Sequence, residues 1–463
     1  MKAMSVLQLL LYVLFLTVLF AWSATCHVAV RAHLTHVDST RGFTKRDLLH
    51  RMAVRTRNRV NKRWSPPGRG RGGTSDYAVT ASGSRDVDVP NSEYLIHFGI
   101  GTPRPQRVAL TLDTGSDLIW TQCACAVCFD QPFRAIDTST SGTQRGVSCF
   151  DPVCTRGGLP FSGCGVKDNL CFYAYSYPGN SITTGKIYED TFTFQAPGGK
   201  LSEDTFTFQA ASGKAVAMPS LRFGCGMYNI GNFKTNESGI AGFGRGKMSL
   251  PSQLKVPSFS YCFTSMVESG NSPMFLGTYG NLRAQATGPT QSTPFARSPA
   301  GRTSSLYYLS LKGVTVGNRR LPFDASTFGL RRDGSGGTII DSGTGITTFP
   351  RAVFRTLREA FVSQVSLPVA DRSADDPDSM LCFSTYSIPD IPELILHLEG
   401  ADWQLPRENY VLDFADDTTC VVINSGGDSD VTIIGNFQQQ NMHIAYDLGS
   451  NKLFFAAARC DKL

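Results

Sequence analysis

Two segments of this 463-residue chain carry an acid in the same setting. Asp113 lies in TLDTGSDLIW (111–120) and Asp341 in IIDSGTGITTF (339–349). Each acid follows a short apolar run and precedes a hydroxyl, a glycine and a second hydroxyl: Thr114, Gly115 and Ser116 in one, Ser342, Gly343 and Thr344 in the other. A single Asp-Thr-Gly is an ordinary turn former. Here each copy is also followed much later by an apolar-apolar-Gly segment, GIAGFGRG (239–246) and then TIIGNF (432–437). That recurrence suggests two similar lobes, each giving one carboxylate to a shared cleft. Two carboxylates held close together cannot both ionise and must share a proton. The ionised one can take a proton from water while the protonated one donates to a carbonyl oxygen, which is what hydrolysis of an unactivated bond requires. The glycines allow close approach of two backbones. Ser116 and Thr344 can donate hydrogen bonds to the carboxylates, and Thr114 and Ser342 can bond across the lobe interface.

The elements that must position these acids read as short strands. Charged residues make up only 18%, and 45 Gly, 24 Pro and 30 Phe accompany runs such as EYLIHFGIGTP and RVALTLDTGSDLIW. The expected class is therefore mostly β, in two lobes around a central cleft. Helices are expected only at Ala352–Ser363, near Ser249–Leu254, and in part of 27–63. The predicted layout is a signal peptide (1–26), a basic propeptide and linker (27–80), an N-terminal lobe (81–300) and a C-terminal lobe (301–463), with the boundary near Arg297–Ser305. A second repeat, EDTFTFQAPGGKLS (189–202) then EDTFTFQAASGKAV (203–216), reads as a tandem duplication adding a hairpin or bulging loop.

Lys2, the apolar run Val6–Trp22 and small residues at 23–25 have the form of a secretory signal. An uncleaved membrane anchor is the rival reading of that run, and no stable anchor is expected. Thirteen cysteines agree with secretion: with Cys26 lost at the signal boundary, an even number remains for disulfides. Between residues 27 and 75 there are twelve Lys/Arg against two acids, Asp38 and Asp47. A basic arm on an acidic body could bind nucleic acid. In a secreted chain, a propeptide lying over an acidic cleft accounts better for both halves. Arg51, Arg55, Arg57, Arg59, Lys62 and Arg63 are expected to hold it there until acid neutralises their partners.

The segments DTGSDLIWTQC (113–123), CFYAYSY (171–177), FGCG (223–226), GIAGFGRG, IIDSGTG (339–345) and TIIGNFQQQN (432–441) together resemble pepsin-like aspartic proteases, in particular the plant nepenthesin-type branch. The resemblance implies a bilobal fold with a hairpin flap over the cleft and catalysis by Asp113 and Asp341. It also implies Tyr177 on the flap, packed with Trp120, and polypeptide substrates with apolar side chains beside the cut. The flap tip departs from the branch's usual YGDGS: it reads YPGNS, and Pro178 lacks a backbone N–H. The implied disulfides are Cys123–Cys125, Cys128–Cys225, Cys149–Cys171, Cys154–Cys164, Cys262–Cys460 and Cys382–Cys420. Asn236-Glu237-Ser238 is a glycosylation sequon. No cofactor and no metal are expected; zinc at Cys123, Cys125 and Cys128 lacks a nearby histidine. The chain is expected to be a monomer that acts outside the cell, in the apoplast, or in the vacuole, with its own propeptide as inhibitor. Two other functions fit parts of the sequence: a non-catalytic secreted binding or inhibitor protein on the same fold, and a glycosidase with paired carboxylates.

Overall fold

The computed structural model describes residues 30–39, 42–63 and 94–463, apart from 157, 166, 178–180, 195–216, 232, 234–235, 268–271, 298–304, 325, 371–376 and 416. The signal-peptide segment, the linker at 64–76, Pro178 and the second repeat copy lie outside the described residues. The first copy contributes Glu189–Phe194, the end of a long strand.

The chain is mostly β, as its composition suggested. The elements that build the cleft are, in order, β1 (Val30–His36), α1 (Lys45–Arg63), β2 (Tyr94–Ile100), β3 (Gln106–Asp113), β4 (Trp120–Val127), β5 (Cys171–Tyr177) and β6 (Ser181–Phe194). They continue with β7 (Ala217–Ile230), β8 (Gly239–Gly242), β9 (Ser258–Cys262), β10 (Ser272–Leu276), β11 (Thr338–Ile340), α2 (Arg351–Val362), β12 (Thr432–Ile434), β13 (Met442–Asp447) and β14 (Lys452–Ala457). One large sheet runs β14-β13-β9-β10-β1-β2-β3-β8-β4-β7-β6-β5 through its middle. The C-terminal strands β13 and β14 thus join the same sheet as the first lobe. Smaller sheets, one of them containing β11 and β12, complete the second lobe.

Strand β1 was not apparent from the sequence reading, which placed only a partial helix in 27–63. Its residues Val30, Ala32, Leu34 and His36 alternate inward. It pairs antiparallel with β10 on one side (Val30↔Leu276) and with β2 on the other (Leu34↔Ile96). The helix follows in α1. Helix α2 appears where a helix was expected, at Ala352–Ser363, and buries Val353, Phe354, Leu357, Ala360 and Phe361 on one stripe. Ser249 caps the short helix Leu250–Leu254 by accepting from the Ser252 N–H.

All twelve cysteines from Cys123 onward are bonded, but four of the six implied pairings are corrected. The parallel register of β4 on β7 puts Thr121 beside Cys225, so Cys123 meets Cys225 and leaves Cys125 to Cys128. Cys164 and Cys171 face each other across the hairpin of Phe161–Cys164 with β5. Their partners are exchanged relative to the expectation, as Cys149–Cys164 and Cys154–Cys171. Cys262–Cys460 and Cys382–Cys420 form as expected. The Cys262–Cys460 bridge spans 198 residues and ties β9 to the C-terminus. Replacing both cysteines by alanine is expected to cost up to about 5 kcal/mol through the unfolded chain's regained freedom. An unmoved urea transition in that variant would mean the β9–β13 ladder holds this seam alone.

Candidate active site

Asp113 ends a strand and Asp341 directly follows one, and each of these strands pairs in parallel with an apolar-apolar-Gly segment. Strand β8 runs beside β3 with Gly242 opposite Asp113, and β12 runs beside β11 with Ile434 opposite Ile340, the residue before Asp341. The internal echo in the sequence is therefore a repeated local structure. The loops after the two strands meet at the lobe interface. The Thr114 N–H donates to Ser342 Oγ at 3.0 Å, and the Ser342 N–H donates to Thr114 Oγ1 at 2.9 Å. This reciprocal pair fixes the two loops against one another.

The carboxylates are held by matching donors. Gly115 N–H donates to Asp113 Oδ1 at 3.1 Å and Gly343 N–H to Asp341 Oδ1 at 3.0 Å. Ser116 Oγ donates to Asp113 Oδ2, and Thr344 Oγ1 to Asp341 Oδ2 at 2.7 Å. Both acids are buried. A Cβ at Gly115 would lie 2.8 Å from Asp341 Oδ1, and one at Gly343 would lie 2.5 Å from Asp113 Oδ1. Only glycine lets the opposite acid come this close.

The side chain at the centre is Arg59, from helix α1. Its Nη2 donates to Asp113 Oδ1 at 2.5 Å, and its Nε donates to Asp341 Oδ2 at 3.0 Å. Burial opposes its charge, but Asp113 and Asp341 outweigh that and raise its pKa above the ordinary arginine value. Helix α1 is seated by other contacts too. Leu48, Leu49 and Met52 pack with Ile346 and Phe437, Val60 packs with Ile339 and Ile433, and the Ile346 N–H donates to Thr56 Oγ1 at 2.8 Å.

The remaining basic residues do not act as a single set against the cleft. Arg51 Nε and Arg55 Nη1 both donate to Asp38, at 3.0 and 2.9 Å, within the same N-terminal segment. All three side chains are buried. Arg57 is exposed, and the side chains of Lys62 and Arg63 lie outside the described ones. The sequence offered a signal that went unused: Arg51, Arg55 and Arg59 recur every four residues and so share one helix face.

Strands β5 and β6 pair antiparallel, with Tyr177 opposite Ser181. The Tyr177 ring lies 6.4 Å from Trp120 and 6.2 Å from Phe233, which sequence reasoning did not single out; Phe233 is nearer to Trp120, at 5.0 Å. Burial, with added effects of Tyr175 and Asp113, pushes the Tyr177 phenol well above its ordinary pKa. It is therefore a neutral, apolar-walled hydroxyl at any working pH. Asn236, the sequon residue, is half-buried and donates from Nδ2 to the Val37 carbonyl at 2.6 Å.

The comparisons with known proteins agree with this architecture. Residues 94–278 match the family described as Xylanase inhibitor N-terminal, and residues 306–457 match Xylanase inhibitor C-terminal. Aspartic proteinase nepenthesin-1 of Nepenthes gracilis is 36% identical over 432 residues, covering 92% of this chain and 89% of that protein. Aspartic proteinase nepenthesin-2 of the same plant is 33% identical over 93% of this chain and 90% of its own length. The crystal structure of EDGP superposes with a TM-score of 0.65 at 21% identity, over 80% of this chain and 94% of that one, which speaks to the fold alone. Two lobes, each presenting an aspartate where a strand ends at a common interface, one as its last residue and one just after it, define the pepsin-like class. Within it, the chain belongs to the plant aspartic proteinase family of the nepenthesins.

Proposed function

We propose that the chain is a secreted aspartic endopeptidase that hydrolyses peptide bonds of polypeptides at acidic pH and is held latent by its own propeptide. The observation that carries this reading is the convergence of Asp113 and Asp341, with matching donors, on one cation. The guanidinium of Arg59 occupies the space between the two carboxylates where an attacking water must lie. Once Arg59 leaves, two buried carboxylates without a cation share one proton. The ionised member takes a proton from water as the oxygen attacks the peptide carbonyl. The protonated member donates to the carbonyl oxygen, and the leaving nitrogen is protonated as the tetrahedral species collapses. The Thr114–Ser342 pair keeps the dyad from spreading, which matters because the shared proton depends on closeness. In this reading residues 27–80 are propeptide and linker, and 81–300 and 301–463 are the two lobes. Six disulfides suit the secretory pathway, and the working compartment is the extracellular space or the vacuole.

A second reading, a non-catalytic inhibitor on the same fold, is favoured by the description of the matching family. It does not account for two intact acids with complete donor sets. The deciding experiment is digestion of an unfolded protein at about pH 3–4 by the acid-treated chain, with and without a pepstatin-like transition-state mimic. Digestion that the mimic blocks is expected. A folded, acid-processed chain that cleaves nothing would leave the inhibitor reading in its place.

A further inference from the structure

A second connection between the two aspartate loops is made of buried side chains. Tyr261 on β9 and Tyr446 on β13 are diagonal neighbours on one face of an antiparallel pair, with Phe259 opposite Tyr446 and Tyr261 opposite Ile444. Their hydroxyls meet at 2.9 Å. The Tyr261 hydroxyl also donates to Gln439 Oε1 at 2.6 Å, and Gln439 Nε2 donates to the Ile434 carbonyl at 3.0 Å. The same carbonyl accepts the N–H of Asp341 at 3.1 Å. At the other end, the Tyr446 hydroxyl is hydrogen-bonded to the side chain of Thr114, the neighbour of Asp113. Thr114, Tyr261, Ile434, Gln439 and Tyr446 are all fully buried.

The direction of every proton in this relay is set from one end. A carbonyl can only accept, so the Gln439 amide turns its nitrogen to Ile434 and its oxygen to Tyr261. Tyr261 uses its single proton on that oxygen, so within the tyrosine pair Tyr446 donates and Tyr261 accepts. The Tyr446 oxygen is then the acceptor for the Thr114 hydroxyl. That leaves a lone pair of Thr114 Oγ1 for the Ser342 N–H, whose 2.9 Å bond is one half of the reciprocal pair. The other half is oriented differently, because Ser342 Oγ donates to the Leu112 carbonyl at 2.9 Å. Burial above all raises the pKa of both phenols, and the Asp341 charge adds to it. The relay therefore keeps its protons at every working pH.

We infer that Tyr446, backed by Tyr261 and Gln439, is a positioning residue for the proteolytic dyad: it directs the Thr114 hydroxyl and so holds Asp113 and Asp341 at the closeness that makes them share a proton. This rests on the endopeptidase reading above.

The test measures kcat/KM against pH on one peptide, with the full chain after acid processing. Two coupled carboxylates titrate as a pair, and the closer they lie, the further apart are the two limbs of the bell-shaped profile. Tyr446→Phe keeps the ring and removes the acceptor for the Thr114 proton. Its optimum rate should fall about tenfold, the worth of one buried hydrogen bond left unmade, and its two limbs should draw together by about half a unit or more. Tyr261→Phe lets Tyr446 turn its proton toward Thr114 and should narrow the profile in the same direction. Tyr410→Phe is the control: it also loses a buried tyrosine's hydroxyl bond, to the Pro392 carbonyl at 3.0 Å, and its profile should match wild type. An unchanged width in a folded Tyr446→Phe overturns the inference, and if that variant does not fold, an unchanged width in Tyr261→Phe does so. Equal narrowing in Tyr410→Phe overturns it too, because lost stability alone would then account for the effect. Unaltered profiles in an active enzyme would remove the relay and leave the endopeptidase standing. No cleavage by the wild-type chain would remove both.

Discussion

Acid-treated Asp113→Asn is expected to digest an unfolded protein on the order of 10³-fold more slowly than the wild-type chain, and Asp341→Asn to fall by a similar factor. The equality follows from the matched settings. Each carboxylate accepts one loop N–H, from Gly115 or Gly343, and one hydroxyl, from Ser116 or Thr344. Asparagine cannot take the proton of the attacking water. Its amide nitrogen is also a donor that must be placed beside donors already aimed at the carboxylate. The loss should therefore appear in kcat. The Thr114–Ser342 pair uses main-chain N–H groups and hydroxyls, none of which the substitution removes. The thermal transition of the processed enzyme should then stay close to wild type. A variant that keeps a tenth of the wild-type rate would refute a shared proton. Unequal losses would instead mean that one acid does most of the proton transfer.

The parts of this site that were legible in the sequence are those made by short-range pattern. Two Asp-hydroxyl-Gly-hydroxyl runs after apolar strands, and their later glycine partners, sufficed to bring Asp113 and Asp341 to one interface. Helix α2, with its amphipathic stripe, was legible too. Features decided by register and by partner exchange were not legible. Cys164 and Cys171 are neighbours across a hairpin, so their partners Cys149 and Cys154 can be swapped without disturbing any sequence pattern. Cys123 joins Cys225 because β4 and β7 run parallel, a pairing that no local motif encodes. Strand β1 carries Arg31, His33 and Thr35 between its apolar positions, and that polar face masked a strand flanked by two others.

Asp38→Asn, far from the dyad in sequence, is expected to open the cleft of the unprocessed chain. Asp38 receives both Arg51 and Arg55 in a buried setting, and α1 then carries Arg59 one turn beyond Arg55 to the dyad. Burial alone would raise the Asp38 pKa, but Arg55, His36 and Arg51 together bring it below the ordinary carboxylate value. A depressed folded pKa means the clamp's contribution is present above the unfolded value of about 3.9 and is lost as pH falls through the folded one. The clamp therefore holds from neutral into mildly acidic solution and yields only as the pH falls below the ordinary carboxylate range. A neutral asparagine removes the carboxylate that both buried arginines bond, a loss of about 3–5 kcal/mol. Undocking of α1 should follow where that loss exceeds what Leu48, Leu49, Met52, Thr56 and Val60 contribute to seating the helix. The unprocessed variant should bind a pepstatin-like mimic at pH 5, where the wild-type proform does not. If the variant stays closed to the mimic and melts with the wild type, the clamp is not what seats α1. Replacing the whole clamp by apolar residues, Asp38→Leu with Arg51→Met and Arg55→Met, should restore docking, since well-packed apolar groups commonly match a buried ion pair in stability. That closed variant should no longer respond to acid through Asp38, which would separate the clamp's role as a pH sensor from its role as packing.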